Sequence, residues 1–172
     1  MNKQIKIEDN YLEIDKFNEL QNFMLGSNFP WFYNPCVSFI DEITDKFQFT
    51  HLFYSHYEPQ STLYKILDSL LIKIAPISIF RIKANLLTRT TESDPNKFHC
   101  DIDDGKEWKA WTTSIFYLNS NNGYTEFKDG TKVESIENRL VTFPCNLEHR
   151  GASSSNVKAR VIMNFNYIKN EN

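Results

Sequence analysis

Three side chains frame the chemistry open to this chain. His99 and Asp101 stand in "KFHCDID" (97–103), and His149 stands in "TFPCNLEHRG" (142–151). In an extended segment side chains alternate faces, so His99, Asp101 and Asp103 point one way and Cys100 points the other. An imidazole beside a carboxylate suits a first-row divalent metal, and a second imidazole from a later strand would complete a set of three ligands. The plain alternative is a strand with a polar face and a hydrogen-bonded loop histidine. Asp103 is the fallback ligand if the segment is not extended, and Asp104 reads as a solvated loop acid. Cys36, Cys100 and Cys145 form no close pair, which points to free thiols in a reducing compartment.

Arg160 adds a fixed cation. In "ARVIMNFNYI" (159–168), Val161, Met163, Phe165 and Tyr167 share an apolar face, whereas Arg160, Ile162, Asn164 and Asn166 share the other. A buried guanidinium needs a counter-charge, either a protein carboxylate or an anionic ligand in a cavity. Two histidines and one carboxylate are the facial triad of non-haem Fe(II) oxygenases, which leaves coordination positions open. A 2-oxo acid could take two of them and dioxygen a third. The acid's far carboxylate would then meet the planar fork of Arg160.

These residues need elements to carry them. Residues 12–24 and 61–75 place apolar side chains at helical spacing, with Ser61 or Thr62 as cap and Pro76 beyond the second helix. The segment "FPWFYNPCVSFI" between them reads as a sheet edge or loop. His51 and His56 read as helix-flanking residues. From residue 78 the pattern changes to short strands rich in β-branched and aromatic residues, with a hairpin expected at Asp129-Gly130. Many strands without intervening helices predict a mainly β domain, an antiparallel jelly roll with the N-terminal helices packed outside. One domain over 1–172 follows from the length and the absence of a linker. Asn85 and Arg89 precede the His99 loop and could line a pocket. Trp108 and Trp111 flank it.

Composition excludes several classes. The net charge is −3 and no Lys/Arg block stands out, so nothing draws the chain to nucleic acid or an anionic membrane. No apolar run is long enough to span a bilayer and the N-terminus lacks a signal-peptide core, which predicts a cytoplasmic protein.

The motifs "FHCDID", "TSIFYLNSNNGYTEF", "NRLVTFPCNLEHRG" and "ARVIMNF" resemble, in that order, the Fe(II)/2-oxoglutarate-dependent dioxygenases. The likeness is to the prolyl 4-hydroxylase-like branch, which includes many short bacteriophage proteins, and it covers residues 78–168. "NFPWFYNP" and "RIKANLLTRT" are similar to the phage members less specifically. The resemblance implies a double-stranded β-helix, iron held by His99, Asp101 and His149, and 2-oxoglutarate held by Arg160. It implies that Tyr117 hydrogen-bonds the cosubstrate carboxylate. It also brings in ascorbate as a candidate reductant, and a host's cytoplasm as the location if a phage encodes the chain. The implied reaction hydroxylates a C–H bond while 2-oxoglutarate becomes succinate and carbon dioxide. The substrate would be a prolyl residue in a peptide, a small molecule or a nucleobase. The branch that repairs alkylated nucleobases carries a second Arg where this chain has Asn166, and halogenating relatives lack the carboxylate that Asp101 supplies. Two rivals stand beside this reading: a non-catalytic β-sandwich binding module, and a cupin-like metal enzyme that does not use 2-oxoglutarate.

Overall fold

The computed structural model describes residues 4–37, 46–102 and 110–170. In chain order, β1 (Lys6–Glu8) leads to α1 (Ile14–Leu25), then β2 (Phe32–Asn34), β3 (Gln48–Ser55) and the short β4 (Glu58–Pro59). A 3-10 helix (Thr62–Leu67) runs directly into α2 (Asp68–Ile74). The remaining strands are β5 (Ser78–Thr88), β6 (Trp111–Tyr117), β7 (Tyr124–Phe127), β8 (Lys132–Glu134), β9 (Arg139–Pro144), β10 (His149–Gly151) and β11 (Ala159–Ile168).

Two antiparallel sheets result. The larger has the order β1-β9-β6-β11-β5-β3-β2, with β4 on β3, and the smaller has the order β10-β7-β8. This is the mainly β architecture that the strand-rich second half predicts, and β5 to β11 span the expected 78–168. The Asp129-Gly130 hairpin joins β7 to β8. Gly130 sits at φ +85, which a side chain would strain, and its N–H donates to Phe127 O at 2.9 Å.

Alternation on the two central strands divides the molecule. On β11, Val161, Met163, Phe165 and Tyr167 pack with Ile82 and Ala84 of β5, beneath Phe17, Leu20 and Met24 of α1 and Leu67 and Leu70 of the second helical segment. The opposite face carries Arg160, Ile162, Asn164 and Asn166, paired across the strand boundary with Leu87, Asn85, Lys83 and Arg81. A smaller core of Ile115, Tyr117, Val141, Phe143 and Ile162 meets Phe127 and Val133 of the small sheet. Helices therefore cover one face of the large sheet, and the other faces the small sheet across a cavity.

Three expectations change in detail. The segment 61–75 begins as a 3-10 helix, although Ser61 caps it as expected by accepting from Leu63 N at 3.1 Å. The N-terminal half contributes strands as well as helices. His51 lies within β3 opposite Ala84 and reaches the Ser61 cap of the 3-10 helix. Its ring is buried among Phe29 and Phe53 and bonded to Pro30 O and Ser61 Oγ, both at 2.8 Å. The stretch "FPWFYNPCV" supplies β2, an edge strand as expected, and the following residues lie outside those described. Among the described residues no helix is long and apolar enough to cross a membrane.

Because α1 packs on the face away from the cavity, its core and the cavity separate energetically. Phe17→Ala should lower stability by about 3–5 kcal/mol through the void it leaves. Divalent-metal affinity of the protein still folded should stay unchanged. Denaturant titration beside Mn(II) titration checks both.

Candidate metal centre

His99 and His149 are set side by side by backbone pairing. His99 N donates to His149 O at 2.9 Å and His149 N donates to His99 O at 3.0 Å, an isolated antiparallel bridge. A second bridge joins Pro95 to Ala152, and the register slips by one residue between the two. The segment 95–99 thus flanks β10 as a partial fourth strand of the small sheet. Its start is pinned by Ser153, whose Oγ lies 2.6 Å from Thr90 Oγ1 and accepts from Asp94 N at 3.1 Å. Its end is pinned by Phe98, whose ring lies between Arg150 at 4.3 Å and Lys128 at 5.1 Å. The imidazoles of the bridge pair stand 4.8 Å apart, centre to centre, and Phe143 packs edge-on against His149 at 4.8 Å.

The ring nitrogens are assigned by what they touch. His99 Nδ1 lies 3.2 Å from Lys97 O, and His149 Nδ1 lies 3.0 Å from Leu147 O. A carbonyl can only accept, so both Nδ1 atoms carry a proton, and in the neutral ring each Nε2 presents a lone pair. Such a second contact fixes the tautomer and orientation of metal-binding histidines. Burial lowers the His99 pKa below the ordinary histidine value, with the charge of His149 next, and the ring stays neutral as a ligand requires.

Asp101 enters from beyond the bridge and is held by the large sheet. Thr113 Oγ1 on β6 donates to Asp101 Oδ2 at 3.0 Å, and Asn166 Nδ2 on β11 donates to it at 3.1 Å. Arg81 on β5 lies 3.6 Å from Oδ1 and donates to Asn166 Oδ1 at 3.2 Å. Burial raises the carboxyl pKa, but His149, Arg81, His99 and the Asn166 hydrogen bond outweigh it and keep it below the usual carboxylate range. One ligand atom from each of His99, Asp101 and His149 falls within 4.8 Å of the others, and His149 Nε2 lies 3.9 Å from Asp101 Oδ2. Facial ligands around a first-row ion, at bonds of about 2.1 Å, lie about 3 Å apart, so an ion needs only a small inward movement of these side chains. The donor set, its tautomers and its one ionised carboxylate fit a divalent metal. Cys100 is outside the set and its Sγ donates to Asn146 O at 3.3 Å. Asp103, Asp104 and Trp108 lie outside the described residues.

The cavity holding this set has a volume of about 1050 Å³, and Arg160 lines it too. Arg160 is 1% exposed, yet among the described residues no carboxylate is within ion-pair distance. Its Nε donates to Ser135 Oγ at 2.7 Å and its Nη2 to Thr125 Oγ1 at 3.2 Å, while Nη1 has no partner. Burial pushes the guanidinium's pKa down, with Tyr117 beside it acting the other way. Tyr117 is fully buried, donates to Thr125 Oγ1 at 2.8 Å and faces Arg160 Cζ at 5.6 Å from its ring centre. Two glycines make room for the guanidinium. A Cβ on Gly123 would stand 2.6 Å from Arg160 Cδ and 2.8 Å from Ala152 O, and one on Gly151 would stand 3.3 Å from Nη1.

Asn85 is buried in the cavity wall, whereas Arg89 is exposed just past β5 and serves through its backbone N–H to Lys158 O at 2.9 Å. Trp111 opens β6 and packs on Phe80 at 5.6 Å. Sequence reasoning missed Arg81, Lys83, Thr113, Thr125 and Ser135. Alternation from Asn85 along β5 was the signal for the first two, since Arg81, Lys83 and Asn85 share a face.

No protein-family model and no curated protein matches the chain. Solved structures do match in fold. A viral collagen prolyl hydroxylase from Paramecium bursaria Chlorella virus-1, in complex with 2-oxoglutarate, aligns with a TM-score of 0.59 at 14% identity, over 99% of this chain and 98% of that one. A Pseudomonas putida prolyl-4-hydroxylase gives 0.59 at 12% identity, over 98% and 94%. A Trichoplax adhaerens prolyl hydroxylase bound to a hypoxia-inducible-factor peptide fragment gives 0.64 at 12% identity, over 98% and 84%. The fold is thus the double-stranded β-helix of the 2-oxoglutarate oxygenases.

Asn166→Ala removes the amide that steadies Asp101 without touching a ligand. It should weaken Mn(II) binding about 10–100-fold and also lower the thermal midpoint of the metal-free protein, because Asp101, Thr113 and Arg81 each lose a buried partner. Isothermal titration and a melting curve measure the two effects. His99 also sets a pH dependence. With its pKa below 6.5 in the folded state, the unfolded chain takes up that proton first. The metal-free protein should therefore lose stability as pH falls through about 6.5 and below. Bound Zn(II), which needs the neutral ring, should move that loss to lower pH in a melting series.

Proposed function

We propose that this chain is an Fe(II)- and 2-oxoglutarate-dependent dioxygenase that hydroxylates a C–H bond of a small molecule or peptide. The observation that carries the reading is the pairing, in one cavity, of a His-Asp-His donor set with a buried guanidinium that, among the described residues, has no carboxylate partner and an unmet Nη1. A binding module has no use for either feature, and a metal enzyme indifferent to 2-oxoglutarate has no use for Arg160. The fold shared with prolyl hydroxylases supports the same class.

His99, Asp101 and His149 would hold the ion, and Arg160 the distal carboxylate of 2-oxoglutarate. When bound, iron and 2-oxoglutarate activate dioxygen for C–H hydroxylation, with succinate and carbon dioxide as the co-products. The chain's own share is position and exclusion of water. Thr113, Asn166 and Arg81 fix the Asp101 carboxylate. Ser135 and Thr125 take two guanidinium donors and leave Nη1 for the cosubstrate. Tyr117 stacks beside that end and, by donating to Thr125, keeps the threonine oxygen an acceptor for Arg160. Ile115 and Ile162 add apolar surface to the cavity lining.

Anaerobic titration with Fe(II) and 2-oxoglutarate tests the assignment. A weak visible charge-transfer band should develop, and succinate should form once oxygen is admitted with substrate. Arg160→Met should raise the 2-oxoglutarate needed for half-maximal band intensity at least about tenfold, with Fe(II) binding intact. Metal binding with no band would favour a cupin-like enzyme, and no metal binding a non-catalytic module.

A further inference from the structure

The cavity contains a cation that the proposed chemistry does not use. Lys83 lies on β5 facing the cavity, opposite Asn164 of β11 and Leu52 of β3. Among the described residues no hydrogen bond or ion pair holds its ammonium group, although its neighbour on the same face, Arg81, is committed to Asp101 and Asn166. Burial, together with the charge of Arg81, brings Lys83 down to about 8, with the charge of Asp101 acting the other way. Beside it, two amide oxygens are stranded. Asn85 and Asn164 are 7% and 8% exposed, and the Oδ1 of each is buried without a hydrogen-bond partner. A buried polar atom left this way is costly unless a ligand meets it.

The row order along β11 separates this group from the Arg160 end. Arg160 pairs with Leu87, Ile162 with Asn85, and Asn164 with Lys83. Four residues of strand, about 13 Å, separate the Arg160 row from the Lys83 row. Formal charges among the described residues point the same way. A divalent ion and Arg160 would be balanced by Asp101 and a dianionic cosubstrate, and Glu148 in the lining is paired with Lys128, which leaves Arg81 and Lys83 as net positive charge. A cation in a low-dielectric wall that no carboxylate contacts attracts an anion.

Resting on the dioxygenase reading, we propose that the primary substrate carries a carboxylate that Lys83 binds, with an N–H or O–H group on the same molecule donating to Asn164 and Asn85. The class is a small amino acid, N-acylamino acid or hydroxy acid, or a peptide presenting such a terminus.

The test requires no turnover. The full chain is loaded with Mn(II) and saturating N-oxalylglycine, an inert stand-in for 2-oxoglutarate. L-proline, N-acetyl-L-alanine and L-lactate are then titrated beside their primary amides, with paramagnetic broadening of the probe's proton resonances as readout. At least one acid should broaden saturably and bind about tenfold or more tightly than its amide. Lys83→Met should abolish that preference, Lys83→Arg should restore it, and N-oxalylglycine affinity should change less than about twofold in both. The proposal is overturned if acids and amides bind alike, if no probe binds, or if Lys83→Met leaves the preference in place. A loss of N-oxalylglycine binding in Lys83→Met assigns the lysine to the cosubstrate and also overturns it, with the dioxygenase reading intact. Failure of the unsubstituted chain to bind Mn(II) and N-oxalylglycine together is a different result and removes the dioxygenase reading itself.

Discussion

The two reciprocal hydrogen bonds between the backbones of His99 and His149 are the constraint on which the site depends. They join segments far apart in the chain at one register, and they place both imidazoles on the same side of the small sheet. Once that pairing forms, little freedom remains. Each Nδ1 is tied to the carbonyl two residues earlier, so the tautomers follow from the backbone path rather than from a distant partner. The one-residue slip between this bridge and the Pro95–Ala152 bridge turns the chain locally, as bulges beside active sites do. Asp101 then emerges toward the large sheet, where Thr113, Asn166 and Arg81 receive it.

The second constraint is the alternation of β11. One set of side chains seals the helix-covered core and the other builds the cavity wall, and both faces are buried. A slip of one residue would exchange the two sets, placing Arg160 under α1 and Met163 in the cavity, so the hydrophobic core enforces the register of the functional face. The cost falls on the polar face. A buried guanidinium met by two hydroxyls, and two amide oxygens met by no hydrogen-bond donor among the described residues, are features a core evolved for stability alone would discard. Gly123 and Gly151 belong to the same account, since they give up side chains to make room for Arg160.

Much of this was legible in the chain itself, for physical reasons. Strand alternation over 159–168 is strong because one face is continuously apolar, and the His-x-Asp and later His are few enough in kind to stand out. The Asp129-Gly130 hairpin is equally plain, since a positive φ calls for glycine. What stayed hidden was long-range. β3 has a mixed burial pattern, because it packs a histidine into an aromatic cluster whose members come from other elements, and its strand character rests on pairing with β5. The 3-10 start of the second helical segment keeps Leu63, Ile66 and Leu67 on the core, so periodicity alone does not separate it from an α-helix. Arg81 and Lys83 sit next to each other on one strand face but acquire opposite fates. Among the described residues one has a carboxylate delivered to it by a loop and the other has no carboxylate within ion-pair distance, and no local pattern encodes which.

The three donors also span the two unequal sheets. The large sheet has a helix-covered core behind it, whereas the small one has three short strands and the 95–99 segment. The histidines belong to the small sheet and its flank, and the Asp101 carboxylate is anchored by β5, β6 and β11 of the large one. An ion held by all three ligands is therefore a cross-link between the sheets at the cavity, and its binding free energy adds to the stability of their contact. The small sheet gains most, because it has the least core of its own to lose. An ion bound at this set would therefore couple metal affinity to fold stability, by tightening the part of the structure that positions the histidines.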